Sequence, residues 1–108
     1  MRTLVTVATF VLASACTTGG PAYPADPVMS MESWANDSCA CPETSCVARQ
    51  ANDAEYFLVP HIKAQNPTAE QKGKLREPAT RGLQCLANKG LAKSKFDKLQ
   101  ATLEETTK

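Results

Sequence analysis

Five cysteines constrain this 108-residue chain more than anything else in it. Three fall within nine residues, SCACPETSC from Ser38 to Cys46, and Cys85 stands alone far downstream. The fifth, Cys16, closes an N-terminal stretch of a different kind. An oxidising compartment would pair such thiols, and a reducing one would favour metal or catalytic use. The N-terminus therefore matters to the reading of the rest.

That N-terminus is MRTLVTVATFVLASAC. Arg2 gives a short positive region, Leu4 to Leu12 is apolar apart from two threonines, and Ala13-Ser14-Ala15 are small. This is the pattern of a secretory signal over residues 1–15, too short for a membrane span. Ala13-Ser14-Ala15 fits ordinary cleavage. The same residues followed by Cys16 resemble the lipobox of bacterial lipoproteins. That resemblance implies lipidation of Cys16 and cleavage just before it. Parity agrees: with Cys16 lipidated, Cys39, Cys41, Cys46 and Cys85 remain, an even set. Thr17 follows the cysteine where Asp would mark inner-membrane retention, so the resemblance implies the outer membrane. Ordinary cleavage would instead give a secreted or periplasmic soluble protein.

Residues 16–37 are rich in Gly, Pro, Ser and Thr and read as a disordered, flexible tether. Loss of residues 1–15 removes Arg2 and no acid, so 11 basic and 11 acidic residues remain. A net charge near zero argues against a nucleic-acid partner and against a polybasic membrane grip. The expected partners are the membrane, through the lipid on Cys16, and another envelope protein.

Residues 38–108 read as one small helical domain. No segment alternates as a half-buried strand would, so the fold class is all-α. Val47, Ala51, Ala54, Leu58 and Ile62 recur at helical spacing. Pro42 suits a first helical position, with Cys41 as the N-cap. Gln65-Asn66-Pro67 turns the chain, and Thr68-Ala-Glu-Gln71 forms a capping box for a second helix. Leu75, Ala79, Gly82 or Leu83, and Leu86 give its apolar stripe, and Gly90 ends it. Pro60 and Pro78 fall inside these two helices and would kink or split them. Ala92, Phe96, Leu99 and Leu103 mark a third, C-terminal amphipathic helix. The expectation is a disulfide-stapled helical hairpin plus that third helix.

On such a hairpin Cys46 and Cys85 lie at nearly equal distances from Asn66, hence at one height. This favours a Cys46–Cys85 disulfide, worth roughly 3–4 kcal/mol in the chain-entropy model. Cys41–Cys85, with Cys39–Cys46, is the rival. Four cysteines allow three pairings, and the sequence does not select one.

A metal site is the alternative use of Cys39, Cys41, Cys46 and Cys85, with zinc or copper as the ion and His61 or Met31 as spare ligands. The C-x-C-x4-C spacing is not a paired C-x2-C knuckle. Thiol-redox chemistry is a third reading, with Cys41 activated at a helix N-terminus. No C-x2-C or haem-attachment motif supports it. His61 has no catalytic partner in the sequence, and Glu43, Asp53 and Glu55 read as solvated charges. Of Tyr56 and Phe57 at most one can face the core stripe. Trp34, with Met29 and Met31, is either a strap folded back on the hairpin or a partner-binding patch.

SCACPETSC and a helix, then NPTAEQ and a helix ending LQCLANKG, resemble small bacterial lipoproteins with a C-x-C-x4-C…C frame. The resemblance implies a lipobox, a Pro-rich tether, a helical hairpin and no assigned activity. The expected function is a non-enzymatic binding or cell-envelope structural module without a cofactor.

Overall fold

The computed structural model describes residues 23–108. Those residues form helices and turns, and no strand occurs among them. The signal and lipidation readings, and the tether as far as residue 22, lie outside the described residues.

The first helix is the main departure from expectation. α1 spans Pro27–Cys39, a segment the sequence reading assigned mostly to the tether. Asp26 caps it, its carboxylate accepting from the N–H groups of Val28 at 2.8 Å and Met29 at 3.2 Å. Pro27 takes the first helical position, where its missing N–H costs nothing. Pro27, Ser30, Met31, Trp34, Ala35 and Ser38 fall on one buried stripe. That stripe is built largely from small polar and apolar residues, which is why its composition resembles a linker.

α2 (Thr44–Asp53) and α3 (Val59–Ala64) form one rod, joined by a π-helical turn at Ala54–Leu58. Pro60 accounts for that turn. In α-helical register its ring would meet the carbonyl of Tyr56. One extra residue in the turn relieves this, and Val59 N–H donates to Ala54 C=O, five residues back. α2 starts later than expected. Its N-cap is Glu43, not Cys41, because residues 40–43 are spent on a turn closed by Cys41 and Cys46.

α4 spans Ala69–Asn88. Its capping box is present as read: Gln71 N–H donates to Thr68 Oγ1 at 3.1 Å, and Thr68 N–H to Gln71 Oε1 at 2.9 Å. Pro78 lies inside this helix, fully buried, and does not split it. Asn66 and Gly90 occupy the left-handed region at the two turns, with φ 52° and 105°. α5 spans Lys93–Thr106 and buries Leu99 and Leu103, the stripe read from the sequence.

The most extensive helix–helix contact is between α1 and α4, which run parallel, with α2–α3 and α5 completing the core. Trp34, Met31, Leu58, Ile62, Leu75 and Leu86 fill that core. The expected hairpin partners, α2–α3 and α4, therefore meet mainly through α1. Gly82 permits the close approach: a Cβ there would stand 2.4 Å from Trp34 Cζ3 and 3.1 Å from the Ala35 Cα.

Candidate functional site

The cysteines form a rigid cap at one end of the domain. Cys39 pairs with Cys85 and Cys41 with Cys46, with Cα separations of 4.9 and 5.5 Å. The favoured Cys46–Cys85 bond and its rival Cys41–Cys85 are both absent. Cys46 and Cys85 stand at equal heights only on a two-helix hairpin. α1 changes the outcome: it lies directly on α4, so its last residue, Cys39, reaches Cys85 first. Cys46 then closes onto Cys41 across the turn. Polar contacts brace the cap: Lys89 Nζ donates to Cys41 C=O at 2.9 Å, and Arg81 donates to Asn36 Oδ1 at 2.9 Å.

Disulfide bonding engages all four sulfurs that the metal reading would need as thiolates. Among the described residues no three His, Cys, Asp or Glu side chains come together as a metal site. The spare ligands are elsewhere. Met31 is buried in the core, and His61 sits on α3 away from the cap.

His61 has a different partner. Its Nε2 lies 2.7 Å from the carbonyl of Pro24, which can only accept, so Nε2 carries the proton. Ser30 Oγ donates to the same carbonyl and to that of Asp26. The Tyr23 ring tilts over the imidazole with 5.9 Å between centroids. These contacts strap residues 23–26 to the domain. Burial, with the Asp53 and Asp37 carboxylates adding to it, holds the Tyr23 phenol well above its ordinary range. Burial also raises the Asp53 carboxyl, opposed by Arg49. Glu43 and Glu55 take structural partners: Ser45 donates to Glu43, and Lys98 pairs with Glu55 at 2.9 Å.

A groove of about 430 Å³ runs between α4 and α5. Ala79, Leu83, Phe96 and Leu103 form its apolar floor, and Arg76, Gln84, Gln100 and Glu104 stand along it. Arg76 Nε donates to the Thr107 carbonyl at 3.2 Å, which fixes one end. Its lining carries one carboxylate and no His or Cys, a composition suited to holding an apolar body by contact.

Tyr56 and Phe57 are both exposed, as is Met29, so neither aromatic joins the core. Both lie between Ala54 and Leu58, and the stripe of Val47, Ala51, Ala54, Leu58 and Ile62 stays buried through the π turn, which leaves positions 56 and 57 outside it. Of the two readings of Trp34, a segment folded back on the hairpin or a partner-binding patch, the structure has the first: it is wholly buried on α1, with Nε1 donating to Gln50 C=O at 2.9 Å.

Among the described residues no helix is long and apolar enough to cross a membrane. Comparison with known proteins finds no family model, no curated protein and no solved structure that matches this chain.

Proposed function

We propose that this chain is an exported lipoprotein, anchored through Cys16 in the bacterial cell envelope, and that it acts as a non-enzymatic binding or structural module. One observation carries the reading. Cys39, Cys41, Cys46 and Cys85 satisfy one another in two disulfides, so Cys16 is left with no intrachain cysteine partner. Disulfides of this kind belong to an oxidising, exported setting. A leftover cysteine directly after a signal-like stretch is the residue that lipidation would consume.

The outer membrane is the proposed location, on the resemblance of Thr17 after Cys16 to the sorting pattern of bacterial lipoproteins. Binding, not catalysis, is the proposed activity because the groove between α4 and α5 has an apolar floor and His61 is engaged by backbone. The proposed partner beyond the membrane is another envelope protein. Cys16→Ser tests the anchoring. The parent chain is expected in the membrane fraction and the variant in the soluble fraction, with both disulfides intact. Equal partition of the two would contradict it.

A further inference from the structure

The groove between α4 and α5 has two unlike ends. α5 returns antiparallel to α4 after the turn at Gly90, and the bond from Arg76 Nε to the Thr107 carbonyl sets the register. Arg76, Glu104 and Lys108 therefore stand at one end, and Leu83, Gln84 and Phe96 at the other. From Arg76 to Leu83 is about 10 Å along the helix axis. Ala79, Leu83 and Leu103 are buried beneath that length, and half-buried Phe96 closes its far end.

Charge follows the same division. The first end carries two cations, Arg76 and Lys108, against one carboxylate, Glu104, and the far end carries no charge. Among the described residues neither cation is held in an ion pair. Arg76 spends Nε on Thr107, which leaves the outer N–H groups of its planar fork for an anion such as a carboxylate. The walls are helices whose backbone groups bond within themselves, so an extended peptide would find no strand edge to add to. A hydrocarbon chain has no polar group to satisfy and needs only apolar contact. The volume of about 430 Å³ lies toward the small end of the range for ligand sites, which suits a single chain and not the paired chains of a phospholipid.

We propose that the α4–α5 groove binds a free fatty acid, its carboxylate on Arg76 and its tail laid over Ala79, Leu83 and Leu103 toward Phe96. This deepens the binding reading above and rests on it, and it does not require the anchor. The excess positive charge at one end fixes the direction of the ligand, and the apolar floor supplies the contact.

The test uses the full chain, lipidated in a bacterial host and held in phosphatidylethanolamine vesicles, with Phe96→Trp as reporter and buried Trp34 as constant background. Laurate carrying bromine at its methyl end is expected to quench most of the added emission, and to saturate. Laurate brominated beside its carboxyl is expected to quench less, because that carbon stays near Arg76. Arg76→Gln, introduced beside the reporter, keeps a donor and loses the charge. It is expected to raise the half-quenching concentration about tenfold or more, as loss of a charge-assisted bond would. The methyl ester of the brominated acid makes the same comparison without altering the protein, and is expected to bind as weakly. Equal potency of acid and ester, or stronger quenching by the carboxyl-side bromine, would overturn the carboxylate site. Quenching by brominated phospholipid without laurate would assign the groove to the bilayer's own chains, and would also overturn it. No saturable quenching in a chain whose intact mass includes the lipid would overturn the ligand and leave the anchor standing. Saturable quenching of a chain with no lipid mass would support the ligand and remove the anchor.

Discussion

Gly82 is the residue on which the packing of α1 turns. It occupies the middle of a 20-residue helix, where glycine costs about 1 kcal/mol relative to alanine. That cost is offset because Trp34 can lie flat against the α4 backbone, fully buried, with its indole N–H satisfied by Gln50. Gly82→Ala is expected to destabilise the domain by about 1–3 kcal/mol, the range for overpacking a closed core, because the new methyl meets ring carbons on one side and the Ala35 backbone on the other. Gly73→Ala is the contrast. It is on the same helix with open space around it, and is expected to stabilise by about 0.5–1 kcal/mol. Urea unfolding of the two variants measures both signs. Tyr23 makes a pH prediction. Its phenol is held neutral above its ordinary value of 10.0, chiefly by burial and further by Asp53 and Asp37. The unfolded chain therefore ionises first. The stability linked to Tyr23 is complete below about pH 10 and is lost as pH rises further. Tyr23→Phe is expected to flatten that alkaline loss, read as the unfolding midpoint between pH 9 and 11.

Elements differ in how openly the sequence announces them. α5 and the start of α4 were legible because their signals are local: a 3–4 spacing of Phe96, Leu99 and Leu103, and a Thr68–Gln71 capping box. α1 was not, because its stripe includes Ser30, Ala35 and Ser38, small residues that pack closely and carry little hydropathy. Asp26-Pro27 was its one local signal, an N-cap followed by proline at the first position. Without α1 the pairing of the cysteines could not be derived, since Cys39 belongs to a helix and not to a loose end. The two bonds should differ in value. In the chain-entropy model the Cys39–Cys85 bond, spanning 46 residues, is worth about 4 kcal/mol, and the Cys41–Cys46 bond, spanning five, about 2 kcal/mol. Cys39→Ser/Cys85→Ser is accordingly expected to lower the urea midpoint about twice as far as Cys41→Ser/Cys46→Ser. The reverse order would show that the short bond fixes more of the native fold than the turn at 40–43.

At the scale of the whole molecule the organisation is polar. One end is a disulfide cap, where Cys39, Cys41, Cys46 and Cys85 gather the ends of α1 and α4 with the start of α2. Toward the other end the chain enters, strapped by His61 and Ser30 through Pro24. Between them lies a groove with an apolar floor on the α4–α5 side, of a composition suited to holding an apolar body. Composition had pointed to a domain too small to rely on burial alone, and the structure answers with two covalent staples and a fourth helix. The sequence does not reveal this groove, because it is made by residues of α4 and α5 that meet only in the folded state. Four cysteines staple the fold, and the fifth, Cys16, is proposed to anchor it. Intact mass and thiol count on the chain extracted from membranes, followed by non-reducing peptide mapping, test it most directly. The predicted result is a lipid-sized addition on Cys16, no free thiol, and the linkages Cys39–Cys85 and Cys41–Cys46. A chain with an unmodified Cys16, or with free thiols among the other four, would contradict the account.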